Sequence, residues 1–207
     1  MDLNLIFSHI ILIMSVVAHE LAHGLAANAL GDPTPRLQGR LTLNPLKHLD
    51  LFGSVIFPAI SYFLGGFIFG WAKPVQFNPY NLKNQKWGEA IISIAGPATN
   101  LSLAVIFGLL IRFSQPLGLS VSFIYISMMV VIINLVLTIF NLIPIPPLDG
   151  SKILFAILPE RFYSIRENIE KYGFIIVIVF IVFIWQFLFP LVVLLFKLIT
   201  GLSGVYF

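Results

Sequence analysis

The sequence predicts an all-α integral membrane protein with four full transmembrane helices and one re-entrant segment. Two features of its composition point there first. Hydrophobic residues make up 58% of the 207-residue chain and charged residues only 10%, against about 25% charged in a soluble globular domain. Mean hydropathy is +0.98. Twelve Lys+Arg and nine Asp+Glu are too few to coat a water-facing surface of this size. The third feature is that the apolar residues fall in blocks of spanning length, so the bilayer is the solvent for most of the chain.

A spanning helix needs about 20 mostly apolar residues. Asn4–Leu30, Glu89–Phe113, Leu119–Ile143 and Phe174–Ile199 all reach that length. Leu51–Trp71 is long enough too, but contains Pro58, Gly53, Gly65, Gly66 and Gly70. It can span, or it can enter and return on one face as a segment buried in protein. The N-terminus lacks a basic n-region and a small-residue cleavage site, so its apolar stretch is expected to stay as a span rather than leave as a signal peptide. The polar stretches, Gly31–Asp50, Lys73–Gly88 and Pro159–Gly173, are too short for soluble domains. No repeat or low-complexity tract occurs. The expected organisation is one polytopic domain over 1–207, with a core at 4–158 and a linker plus last helix over 159–207.

Several function classes drop out. A net charge of +3, scattered along the chain, excludes a nucleic-acid partner. With no cysteine, disulfides and thiolate metal sites are excluded. Metal chemistry is left with four His, nine carboxylates and the backbone.

The first span carries His19-Glu20-Leu21-Ala22-His23. Four residues make about one helical turn, so both imidazoles project from one face. They can hold one Zn²⁺, with Glu20 beside it as a general base for a water. Ionisable groups at membrane depth are costly and usually functional. Catalytic zinc takes three protein ligands and an open fourth position, so a third ligand comes from elsewhere. Of Asp2, Asp32, Asp50 and Asp149, the last sits in Asn141–Gly150 (NLIPIPPLDG), directly after an apolar helix. Pro144, Pro146 and Pro147 forbid regular helix there and point to an extended, strand-like path. Free backbone groups at that depth are tolerable only around a buried or watery cavity. His9 lies ten residues before His19, about 15 Å along the helix, and cannot reach the same metal; it reads as a headgroup-level residue. His48, in a polar loop, reads as a surface or lid residue.

Sidedness decides between four and five spans. His23 lies seven residues before the end of the first span, about 10 Å from the face where that span exits. Asp149 follows the third long helix, which must run towards the same face. Four spans with Leu51–Trp71 re-entrant satisfy this; five do not. Four spans also put ten of the twelve basic residues on that face and leave Arg112 and Lys197 on the other, whereas five spans divide them seven to five. The positive-inside rule prefers the first arrangement. The metal site is therefore expected inside the helix bundle near the cytosolic face, with both termini outside.

With these elements in place, the sequence resembles the site-2 protease family of intramembrane zinc metalloproteases. Three motifs occur in that family's order: His-Glu-x-x-His at His19–His23, Gly-Pro-x-x-Asn at Gly96, Pro97 and Asn100, and Asn-x-x-Pro-x-Pro-x-Leu-Asp-Gly at Asn141–Gly150. Asn28–Pro45 and Gly70–Val75 resemble its compact branch, without the PDZ or nucleotide-sensing domains of other branches. The resemblance implies that His19, His23 and Asp149 ligate one Zn²⁺, that Glu20 is the general base, and that Asn141 contacts the substrate backbone or the developing oxyanion. It also implies a short β-like loop over Phe69–Phe77 that pairs with an unwound substrate, as strand addition would. Lys73 and Pro74 in that loop, and Asn100, are secondary substrate-binding candidates. Lys73 and Pro74 read more simply as loop geometry. Gly96 and Asn100 share one helix face and read more simply as a packing pair between helices. Asn141 alternatively caps a broken helix end.

The implied activity is peptide-bond hydrolysis within the bilayer, near its cytosolic face, as in regulated intramembrane proteolysis. The implied partners are the lipid bilayer and the transmembrane helix of a substrate protein, and no feature of the sequence specifies an oligomer. The short, domain-free form suits a multi-pass protein of a prokaryotic plasma membrane. Two other classes use similar motifs. A metal transporter needs further intramembrane ligands along a path, and a non-catalytic helix-binding scaffold has no need of Glu20.

Overall fold

A computed structural model of the chain describes residues 3–48, 74–159 and 185–202, with positions 56, 169, 171–173, 175–177, 179–180 and 183. The helices are α1 (Leu3–Ala29), α2 (Thr34–Leu37), α3 (Gln85–Arg112), α4 (Val121–Asn141), α5 (Asp149–Ile157) and α6 (Trp185–Thr200). Single 3₁₀ turns occupy Pro45–Lys47 and Pro79–Asn81. The described residues contain no strand, and 74–78 run without regular secondary structure.

Among the described residues three helices, α1, α3 and α4, are long and apolar enough to cross a membrane. They match the first three predicted spans to within four residues at each end. The expected fourth span is described as a helix of 16 residues over Trp185–Thr200, with further helical positions upstream of it. The segment expected to be re-entrant, Leu51–Trp71, lies outside the described residues except for Ile56, as do Lys73 and the first half of the expected β-like loop.

Local chemistry sets the helix ends. α1 stops where Gly31 takes φ +107°, and the amide of Asp32 donates to the carbonyl of Ala27 at 3.0 Å. This six-to-one bond closes the helix C-terminus over a left-handed residue. α3 begins four residues before the predicted apolar stretch because Asn84 caps it, its side-chain oxygen accepting from the Trp87 amide at 3.0 Å. Ser120 does the same for α4, accepting from the Phe123 amide.

α3 is the central helix. Its Ala104 and Ile111 pack with Val131 and Leu135 of α4 and with Val192 and Phe196 of α6. α1 lies against both α3 and α4, and at its middle Ser15 Oγ accepts from the buried Asn134 amide at 2.9 Å. Cross-helix polar bonds of this kind hold helices together where lipid removes the hydrophobic drive. Leu5, Ile10 and Ile13 point outward from α1, as a lipid-facing stripe would.

The segment after α4 departs from the strand-like path expected of its prolines. It folds as successive tight turns, with Ile145 N–H donating to Ile143 O at 2.8 Å and Leu148 N–H to Ile145 O at 2.9 Å. A proline φ near −65° suits a turn as well as a strand, and turns satisfy more of the backbone. Ile143 and Leu148 pack under Val177 and Phe180. The turns deliver Asp149 as the first residue of α5. They also press α5 against the preceding chain, so a Cβ on Gly150 would lie 2.3 Å from the Leu142 carbonyl oxygen and 2.5 Å from that of Ile143. Backbone on both sides cannot yield, so Gly150→Ala is expected to cost several kcal/mol, about the upper range for a single substitution. Thermal unfolding of the purified variant should show a large drop, and an unchanged melting curve would refute this packing.

Candidate metal centre

α1 places His19 and His23 one turn apart, with their rings edge to face and centroids 4.5 Å apart. Asp149 reaches the pair from a position 126 residues beyond His23. The two Nε2 atoms are 3.0 Å apart, and each lies 3.1 Å from Asp149 Oδ2. All three residues are less than 10% exposed. Among the described residues they form the only group of three or more His, Asp or Glu able to share an ion.

The donor set fits a metal. His23 Nδ1 sits 2.7 Å from the Ile92 carbonyl. A carbonyl only accepts, so Nδ1 carries the proton and a neutral ring turns a bare lone pair inward. That lone pair faces a carboxylate oxygen, an arrangement that calls for a cation between them. Ligands at about 2.0–2.2 Å around a tetrahedral zinc lie about 3.3–3.5 Å from one another, within a few tenths of an ångström of the observed edges. Helix α3 passes close behind the rings. A Cβ on Gly96 would come within 2.6 Å of both imidazoles, so the rings occupy the space a side chain there would take.

A cavity of about 150 Å³ opens on this group, lined by Glu20, Pro74, Asn141 and Lys152 among others. This is ample room for water, which needs roughly 10–15 Å³ of such space per molecule. The Glu20 carboxylate accepts from the backbone N–H of Val75 at 2.8 Å, so the irregular segment beside α1 aims it. Asp32, fully buried, anchors the same segment: its carboxylate accepts from Asn78 N–H and Asn81 Nδ2, each at 2.7 Å, and from Thr34 Oγ1 at 2.6 Å.

The other candidates from the sequence divide. Asn141 lines the cavity while its Nδ2 donates to the Leu137 carbonyl at 2.9 Å, one turn back in its own helix. Pro74 also lines the cavity. Asn100 does not line it; its Nδ2 lies 3.1 Å from His19 Nδ1. His9, near the start of α1, bonds to the Leu5 carbonyl, away from the site. His48 is not a surface residue: it is 1% exposed and its Nε2 meets the Thr42 carbonyl at 2.9 Å, folding the loop onto itself. The sequence reading passed over Lys152, which stands one turn after Asp149 and approaches the Phe77 ring at 5.5 Å. It also passed over the main-chain bond from Val75 to Glu20.

His19, Glu20 and His23 on α1 and Asp149 at the start of α5 make, in a chain with long apolar helices, the donor set of a membrane metalloprotease. The pattern of peptidase family M50 matches residues 7–125 and 116–184, and the chain belongs to that family, the site-2 proteases. It is 38% identical over 179 residues to the "Putative zinc metalloprotease YwhC" of Bacillus subtilis, covering 84% of this chain and 78% of that one. It is 32% identical over 178 residues to the "Putative zinc metalloprotease Rip2" of Mycolicibacterium smegmatis, covering 82% of this chain and 64% of the relative. No solved structure matches the chain.

Burial pushes the Asp32 carboxyl up, but hydrogen bonds from Asn81, Thr34 and the Asn78 amide outweigh it and hold the group below its ordinary value. A depressed carboxyl stabilises the fold above its unfolded value of about 3.9, and that contribution is lost as pH falls through the folded value. Asp32→Asn is therefore expected to lower stability by about 1–3 kcal/mol at neutral pH, with the deficit shrinking below about pH 4. Melting curves of both proteins across pH 3–7 check this; a deficit that persists unchanged at the acid end would contradict it.

Proposed function

We propose that this chain is an intramembrane zinc endopeptidase. It cleaves the transmembrane helices of substrate proteins at a site near the cytosolic face of the membrane. The observation that carries this reading is one buried cluster in which His19 Nε2, His23 Nε2 and Asp149 Oδ2 lie 3.0–3.1 Å apart, with Glu20 lining the same cavity.

His19, His23 and Asp149 would hold the ion. When bound it supplies a Lewis acid that polarises the scissile carbonyl and makes water more acidic. Glu20 takes the proton of a water in the cavity and later returns it to the leaving amine. Its carboxylate is already held in place by the Val75 amide, so little reorientation is needed. Asn141, at the cavity wall, is placed to contact the substrate backbone, and rotating its amide away from the Leu137 carbonyl would free a donor for a developing negative charge. An intact substrate helix hides its carbonyls in its own hydrogen bonds, so the substrate must unwind before cleavage, and helix-breaking residues in it favour the reaction.

Depth supports the intramembrane reading. α1 ends six residues after His23, so the ion site lies about 9 Å inside the end of a spanning helix. A transporter would need further ligand groups along a path, and the described residues hold a single such cluster.

Co-expression with a panel of single-span model substrates, wild type against Glu20→Gln, tests the proposal. Wild type is expected to yield fragments cut inside the span, mapped by mass spectrometry. Glu20→Gln should lower turnover by at least about 100-fold, the lower end for a general base, with zinc content nearly intact. Full activity in that variant would reject the base assignment. Separately, Asp149→Ala should leave purified protein with well under one zinc per chain by elemental analysis, and unchanged stoichiometry would reject the ligand set.

A further inference from the structure

We propose that Asn100 is a positioning residue for the metal centre, presenting its side-chain oxygen to His19 Nδ1 and so turning the His19 Nε2 lone pair onto the ion. The inference rests on the reading above, that His19, His23 and Asp149 hold zinc.

Each ring of the pair has an inward nitrogen and an outward one. Both Nε2 atoms point into the cluster. Both Nδ1 atoms point at α3: that of His23 to the Ile92 carbonyl at 2.7 Å, that of His19 to the Asn100 amide at 3.1 Å. Ile92 and Asn100 are eight residues apart, and Gly96 is the midpoint between them. The missing side chain at Gly96 lets both rings come within reach of α3. One helix thus carries a partner for the outer nitrogen of each ring, and a ligating histidine needs such a partner to fix its tautomer.

The two partners differ in kind. A carbonyl can only accept, whereas a carboxamide offers an acceptor on one side and donors on the other. With Nδ2 towards the ring, the His19 proton must sit on Nε2, where it donates to Asp149. With Oδ1 towards the ring, the proton moves to Nδ1 and Nε2 is free to ligate. A half-turn about the last torsion of Asn100 exchanges the two arrangements. Asn100 is completely buried; its Nδ2 faces His19 Nδ1 at 3.1 Å and its Oδ1 has no hydrogen-bond partner. A buried amide oxygen without a partner is costly; the half-turn would pair it with the outer N–H of a ligating His19, with Nδ2 giving up its contact to that ring. A helix-packing amide alone would not require His19 as its neighbour.

The test measures zinc affinity of the full chain in detergent by competition with a chromophoric chelator, for wild type, Asn100→Leu and Asn100→Asp. Leucine fills a similar volume and offers no acceptor; aspartate offers only acceptors. Asn100→Leu is expected to weaken zinc binding by about 10–100-fold, the range for loss of an orienting partner, while Asn100→Asp stays within about threefold of wild type or binds tighter. Rescue by the acceptor-only variant separates orientation from packing, because a packing role would make the buried carboxylate at least as damaging as leucine. ¹⁵N shifts of His19 in the zinc-loaded wild type give a second readout, expected to place the proton on Nδ1. Wild-type affinity in Asn100→Leu, equal losses in both variants, or a His19 proton absent from Nδ1 would each overturn the proposal. If Asn100→Leu does not fold, the Asn100→Asp affinity and the His19 tautomer decide. Asp149→Ala serves as control: zinc binding that depends on Asp149 but not on Asn100 defeats this inference alone, whereas zinc binding indifferent to Asp149 defeats the metal centre itself.

Discussion

Two imidazoles and a carboxylate, each less than 10% exposed, meet inside a chain that is mostly solvated by lipid. Burying such groups is unfavourable unless each finds a partner, and that constraint organises the rest of the fold. A single helix can supply the two imidazoles because one turn separates them. It cannot supply the carboxylate at the same point, so a second element must enter the bundle and stop there. The turn after α4 does this, and α3 closes the back of the site with a backbone carbonyl and a buried amide. Two glycines are then fixed by contact: Gly96 by the rings in front of it and Gly150 by the carbonyls of Leu142 and Ile143 behind it.

Prolines make the second element possible. Within lipid a broken helix exposes backbone groups that nothing can satisfy, so breaks occur only against protein or a cavity. Pro144, Pro146 and Pro147 end α4 at the level of the site, and the turns they favour recover part of the lost bonding. The later chain covers this break: Val177 and Phe180 pack on Ile143 and Leu148, and a Cβ on Gly173 would strike the Pro146 carbonyl at 2.4 Å. Pro97 acts differently. It lies inside α3 without ending it: the bond it removes is the one an N–H at this position would make to the Ser93 carbonyl, and the Thr138 hydroxyl of α4 adds a cross-helix bond to the Pro97 carbonyl at 3.3 Å.

Much of this was legible in the sequence because it is periodic or compositional. The four-residue spacing of His19 and His23 and the length of the apolar blocks survive in any fold that contains a helix. Asp149 stood out because three prolines precede it within five residues. What stayed hidden depends on contacts between distant segments. Asn100 and His19 are 81 positions apart, and no local pattern distinguishes an amide that packs two helices from one that meets an imidazole. The hold on Glu20 was invisible for a different reason: its donor is a main-chain N–H at Val75, which every residue but proline carries. His48 was misread because a polar loop suggests exposure, whereas a short loop can bury its own imidazole against its own carbonyl.

That main-chain hold gives the segment over 74–83 a particular mechanical status. A side chain at residue 75 can change without removing the bond to Glu20, so the aim of the carboxylate depends on where the segment runs rather than on what it is made of. Its course is fixed from the far end. Asp32 gathers Asn78 and Asn81, and the Lys83 amide donates to the Leu30 carbonyl at 3.0 Å, so the segment is tied to the exit of the same helix that carries His19, Glu20 and His23. Helix and segment are therefore bonded to each other at both ends of the segment. A displacement that opened the cavity by lifting the segment would release the Glu20 carboxylate in the same motion, whereas one that slid α1 and the segment as a unit against α3 would keep Glu20 aimed and disturb only the outer bonds of the two rings.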